Sequence, residues 1–187
     1  KVRIKFPSLW LSVNFLAETG KVAFPILSDL SSQGCFIDGY WGDDACIDEN
    51  GVNVESKIIS KIRNDSGWKG LYFGGTAFKK QRIIPKEKYG DAARYATQFM
   101  DVVTTSGIAT GIEADISKIK TFRSSIGDSV LAIASGITVE NAKMYSIADC
   151  FMVATGINYD DNFYEIDHKK LSNLLLVCRQ IGIGEYS

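Results

Sequence analysis

Short apolar runs rich in β-branched and aromatic residues recur along the chain. Each is followed by a turn and then by a segment whose apolar positions return every three or four residues. This is the signature of successive βα units. Six runs stand out, at residues 9–15, 35–40, 70–73 with a glycine-rich continuation to 78, 101–105, 129–134 and 149–154. Several lack polar alternation, as strands buried on both faces of a parallel sheet do. Helices are predicted over 21–32, 54–65, 89–100, 115–125, 139–147 and 167–181. The second carries Val54, Ile58, Ile59 and Ile62 as one apolar stripe with basic residues opposite, a helix laid on a sheet. Thr138 and Asp167 precede their segments as N-cap residues, because their side-chain oxygens can accept the free N–H groups of a first turn. The opening Lys-Val-Arg-Ile-Lys-Phe alternates strictly, the pattern of an edge strand.

Six units in 187 residues fall short of the roughly 250 residues of a complete (β/α)₈ barrel. The expected fold is therefore α/β, either a TIM-barrel type with about two units missing or an open doubly wound sheet. Spacing is compatible with both. The chain opens on Lys1 rather than Met, which suggests a single barrel-type domain over 1–187 truncated at its N-terminus.

Twenty-one Lys and Arg against 22 Asp and Glu leave a net charge of −1, so no single-sign field favours nucleic acid. No apolar run approaches the ~18 residues of a spanning helix, and the N-terminus has no signal-peptide core. A soluble, cytoplasmic protein is expected. Cys35, Cys46, Cys150 and Cys178 follow neither a zinc nor a disulfide spacing. They read as reduced, with Cys35 and Cys150 as small core residues inside strands.

In parallel α/β folds, functional groups gather at the carboxyl ends of the strands. Three of these ends carry a small hydroxyl residue followed by glycine: Ser106-Gly107, Ser135-Gly136 and Thr155-Gly156. Together they suggest backbone and hydroxyl donors for a phosphate. Lys79, after the third strand, supplies a cation or an amine. Glu113 is the carboxylate best placed for proton transfer, and Asn14 and Asp38 are polar residues near the ends of the first two strands. His168 is the only histidine and opens the last helix after an acidic loop, so a histidine-based triad or metal site is not supported. No cofactor is implied. Asp38, Asp43, Asp44, Asp48 and Glu49 offer oxygen ligands to a divalent cation, though without an EF-hand pattern.

The strings VVTTSGIATG, LAIASGITVENA and CFMVATGI resemble the last three strands and turns of the BtpA family of (β/α)₈-barrel proteins. The resemblance runs through Ser106, Gly107, Ala109, Thr110 and Gly111, then Ser135, Gly136, Thr138, Glu140 and Asn141, then Thr155. Upstream it is thinner, through Val13 and Asn14 and through Phe78-Lys79-Lys80. It implies that the six units are strands three to eight of the barrel and that the opening hexapeptide is the tail of a helix. It also implies a phosphate-type pocket and, from the name of the family, a connection with photosystem I biogenesis. The family pattern places an Asp and two His around its lysine. This chain has Gly75, Ala77 and Lys80 there.

Two functions follow as expectations. One is isomerase, aldolase or lyase chemistry on a small phosphorylated metabolite. The other is a non-catalytic assembly role for a degenerate barrel, drawing on the surface around Trp41, Phe163 and Tyr164. An incomplete barrel leaves unpaired strand edges, so a second copy or another chain is expected to cover them, with Trp10, Leu11, Phe15 and residues 174–178 at the contact.

Overall fold

A computed structural model describes residues 1–183. Six parallel strands form one sheet: β1 (Ser12–Val13), β2 (Gly39–Gly42), β3 (Leu71–Gly75), β4 (Val102–Ser106), β5 (Val130–Ala134) and β6 (Cys150–Met152). Their spatial order is their chain order, and β1 does not pair with β6. A doubly wound sheet reverses its order at a switch point; here there is no reversal. With right-handed crossovers every helix then lies on one face, which is the arrangement of a barrel wall. The fold is an incomplete TIM-type barrel, as expected, and the doubly wound alternative is excluded.

The helices are α1 (Val2–Lys5), α2 (Gly20–Ser32), α3 (Val54–Ser66), α4 (Tyr89–Ala96), α5 (Ile116–Ile126) and α6 (His168–Gln180). Side chains alternate across a strand, and the register pairs Tyr40 with Tyr72 and Trp41 with Phe73. Tyr40, Tyr72, Val103, Leu131 and Ile133 consequently face the helices and join the core with Phe24, Ile59, Ile119 and Phe122. The Tyr40 and Tyr72 rings stack 5.4 Å apart, and Phe24 sets its edge against both. The opposite, concave face carries Trp41, Phe73, Val102, Thr104, Ser106, Ala132 and Ala134. Trp10 lies edge-on to Phe73 at 6.0 Å. Ile183 helps enclose a 520 Å³ cavity with Phe73, Val102 and Cys150.

Several expected boundaries shift. Only two residues of 9–15 form a strand, and residues 35–38 lead into β2 instead of belonging to it. Cys35 therefore precedes its strand, while Cys150 opens β6; both are half-buried, and all four cysteines are free thiols. The opening hexapeptide forms α1 rather than an edge strand. The span 139–147 holds only a 3₁₀ turn, Ala142–Tyr145, because the Asn141 side chain folds back to accept the Thr138 N–H. Asp167 does cap α6, accepting the Lys169 and Lys170 N–H groups. The acidic loop before it is an antiparallel hairpin, β7 (Asn158–Tyr159) and β8 (Asn162–Ile166). Leu174 is buried in the core, so it does not line an outer contact; Leu175 and Leu176 beside it are exposed. Among the described residues no helix is long and apolar enough to cross a membrane.

Arg3 ties α1 to the amino-terminal rim of the sheet. Its guanidinium donates to the carbonyls of Phe36, Pro7 and Leu9 at 3.1, 2.9 and 2.7 Å and to the Asp38 carboxylate. Asp38 also accepts the Leu11 N–H at 2.8 Å. Burial alone would raise the pKa of this carboxyl; the Leu11 N–H and Arg3 outweigh it and hold the pKa below the ordinary value. Replacing Arg3 by Met removes all four bonds, and loss of about 1–3 kcal/mol in urea unfolding is expected. An unchanged midpoint and slope would show that α1 is not fastened there.

Candidate functional site

At the opposite, carboxyl-terminal rim the first three strands bring polar groups together. Asn14 follows β1 directly and stands level with Trp41, since Val13 pairs with Tyr40. Asp43 follows β2 two residues beyond Trp41 and so points to the same concave side. The Asn14 amide donates to the Asp43 carboxylate at 3.1 Å, while Gln81 donates to the Asp43 carbonyl. Lys79 comes from the loop after β3 and is half-buried. Burial lowers its pKa, Lys80 adds to the effect, and the Asp43 charge opposes it. Two buried polar atoms beside this group have no partner: the Asn14 Oδ1 acceptor and the Trp41 Nε1–H donor. Buried orphans of this kind are costly unless something completes them.

The loop carrying Lys79 is held in an unusual shape. Ala77 and Lys80 adopt left-handed φ of 48° and 61°, uncommon for residues with a Cβ. The Phe78 N–H donates to Gln81 Oε1 at 3.2 Å, and the Lys79 N–H donates to Ser106 Oγ at 2.8 Å. Beneath the loop, Lys118 of α5 donates to the carbonyls of Ala77 at 2.5 Å and Ser106 at 2.9 Å. Lys118 is 8% exposed. Burial brings its pKa down to about 8 against a small opposing effect of Asp115.

Of the expected site residues, Asn14 and Lys79 thus gather with Asp43, which sequence reasoning had placed only in an acidic cluster. Asp38 does not join them: it stands at the entrance of β2, on the other rim, with Arg3. The acidic cluster disperses, with Asp44 accepting the Cys46 N–H, Asp48 accepting those of Asn50 and Val52, and Glu49 paired with Arg82. Among the described residues no group of three metal-ligating side chains forms. Glu113 is exposed and accepts from the Asn141 amide at 3.0 Å. His168 is exposed at the start of α6.

The hydroxyl–glycine turns are occupied by one another. The Ser106 hydroxyl is fully buried, donating to the Gly107 carbonyl at 2.8 Å while accepting from Lys79. The Ser135 hydroxyl faces the carbonyls of Ala109 and Ile112, both at 3.3 Å. Gly136 has φ +73°, and a Cβ there would lie 2.3 Å from the Glu113 backbone nitrogen. A Cβ on Gly107 would meet the Ile112 carbonyl, and one on Gly156 the Ile137 carbonyl. These glycines let each loop rest on a neighbouring backbone, and only Thr155 remains exposed.

Lys118 had no place among the sequence candidates, since lysine in an amphipathic helix reads as solvated. A signal was present: Lys118 falls four residues before Phe122 and beside Ile119, on the helix face that meets the core.

No protein-family model and no curated protein matches the chain. Among solved structures it is similar to phosphoribosyl anthranilate isomerase from Thermus thermophilus, at 11% sequence identity and a TM-score of 0.43, covering 91% of this chain and 86% of that one.

Gly136→Ala separates loop packing from a ligand turn. It is expected to cost about 2 kcal/mol or more through left-handed strain and overlap with Glu113. A variant with an unchanged thermal midpoint would mean that the turn has room for a ligand.

Proposed function

We propose that the chain is a BtpA-like barrel protein that binds a small phosphorylated metabolite and moves protons beside its carbonyl group, the chemistry of isomerases, aldolases and lyases. The observation that carries this reading is the convergence of Asn14, Asp43 and Lys79, from three successive strand ends, on the concave mouth of the barrel. Lys79 is the cation or, when deprotonated, the amine that engages the substrate carbonyl. Asp43 is the carboxylate that takes and returns the proton. The unpartnered Asn14 Oδ1 and Trp41 Nε1 accept from and donate to substrate hydroxyl and carbonyl groups. Relative to the expectation from sequence, Asp43 takes the role first given to Glu113, since it is the Asp43 charge that acts on Lys79, while Glu113 is exposed and accepts from Asn141. The BtpA-like strings cover β4, β5 and β6 with the stacked loops that follow them, which supports a scaffold like that family's with chemistry altered at Gly75, Ala77 and Lys80.

A second reading, a non-catalytic assembly factor, draws support from Phe163 and Tyr164. These rings stand exposed on the hairpin, packed only edge to face at 5.8 Å. The unpaired edges of β1 and β6 would then be covered by a second copy or another chain.

A panel of phosphorylated aldoses and ketoses decides between the readings. Lys79→Met and Asp43→Asn are each expected to lower kcat/KM by about 10²-fold or more, while Glu113→Gln leaves it within a few-fold. The rate of the unaltered protein should rise with pH through an ionisation below the ordinary lysine value. Turnover that survives both substitutions, or no turnover with any member of the panel, overturns the catalytic reading in favour of assembly.

A further inference from the structure

Between the loops that follow β3 and β4 lies a 240 Å³ pocket whose lining includes Lys79, Lys80, Arg82, Tyr89, Gly107 and Lys118. No carboxylate lines it. Arg82 is committed elsewhere, its two terminal nitrogens forked onto Glu49. The three lysines are not: among the described residues none of them is in an ion pair. Lys118 is nearly inaccessible, and two carbonyls satisfy only two of its three ammonium hydrogens.

Three like charges around one small space repel, and a buried cation without a counter-ion is costly. Proteins assemble such a group where an anion completes it. At about 30 Å³ per liquid water, the volume holds a phosphate-sized group with part of a carbon chain. We propose that this lysine-lined pocket is the anion subsite of the protein, and that a phosphate monoester binds here rather than at the hydroxyl–glycine turns after β4, β5 and β6. This assignment rests on the reading of the barrel as a site for a phosphorylated ligand, and it puts the anion beside Lys79, so that the ligand's carbon chain extends toward Asp43 and Asn14. The left-handed backbone at Ala77 and Lys80 follows the same demand, because it turns both flanking lysines of the loop onto one pocket.

Calorimetric titration with inorganic phosphate, and separately with sulfate, tests the proposal on the intact chain. Saturable binding is expected, weakened about tenfold by removal of one charge-assisted contact in Lys80→Asn. Asparagine tolerates the left-handed conformation at this exposed position, so this variant keeps the loop. Lys118→Met is expected to weaken binding further, with circular dichroism confirming its fold. Ser135→Ala and Thr155→Val should bind as the unaltered protein does. Because anion binding favours protonated lysine, the measured heat at pH 8 should vary with buffer ionisation enthalpy in the sense of proton uptake.

Absence of saturable binding by either anion overturns the subsite, as does undiminished binding in Lys80→Asn or loss of binding in Thr155→Val. Turnover of phosphorylated sugars combined with loss in Thr155→Val sinks the subsite and leaves the catalytic reading standing. Phosphate bound through the lysines without turnover of any sugar phosphate supports the subsite and sinks the catalytic reading.

Discussion

The Lys118 amine, placed below the sheet's upper rim and bonded to the carbonyls of Ala77 and Ser106, is the constraint on which the mouth of this barrel depends. Parallel strands end in loops whose backbone groups have no ladder partner, and loops after neighbouring strands must be joined by something. Between β3 and β4 that joint is a cation in a nearly water-free position, ringed by Tyr89 and Phe122 at 5.1 and 5.8 Å. One of its two bonds holds the carbonyl of Ser106 and the other that of Ala77. That carbonyl fixes the left-handed turn, and the turn sets where Lys79 and Lys80 project. A neutral residue of similar length would fill the same volume but remove a charged donor from both carbonyls, leaving Ala77 only the Thr105 hydroxyl at 3.4 Å, at a cost of about 1–3 kcal/mol.

Elsewhere on the rim the joints are made without charge. The loops after β4, β5 and β6 come so close that glycine is the residue that fits at their contacts, most plainly at Gly136 against Glu113. The same close approach fills the upper part of an incomplete barrel with backbone instead of side chains. The concave wall below it is then built from small residues such as Thr104, Ala132 and Ala134, all buried. Trp10, against Phe73, and Ile183, in the cavity with Phe73 and Val102, supply bulk at the lower end. The division of labour is clear from the two rims: Arg3 and Asp38 hold the lower one together, while the polar groups of the upper one are left incomplete.

The fold was legible because six apolar runs at intervals of 20 to 35 residues leave few arrangements, and the loss of strand order reversal could be seen only in space. Boundaries failed where local chemistry overrode pattern. Asn141 capped what periodicity read as a helix, and Pro7 with the Arg3 bonds closed α1 over an alternating hexapeptide. Two of the three converging side chains were visible, Asn14 directly after β1 and Lys79 in the loop after β3. Asp43 was hidden among neighbouring acids that cap local backbone, as Asp44 and Asp48 do, or pair with an arginine, as Glu49 does, and Asp38 was misplaced by a strand that begins four residues later than its apolar run. The hydroxyl–glycine turns show that one dipeptide can serve two purposes: exposing N–H groups to an anion, or letting two backbones touch. Only the neighbouring loop decides which.

Whether Lys118 is a buried amine in a pocket of cations is measured by direct titration of lysine side chains with ¹⁵N-detected magnetic resonance. One lysine is predicted to titrate near pH 8, to vanish from the spectrum in Lys118→Met, and to move to higher pH when phosphate is added. A second, Lys79, should titrate below its ordinary value, lowered by its burial. If every lysine titrates together in the ordinary range near 10.5, the amine is solvated, the loops are not joined through it, and the reading of this rim is wrong.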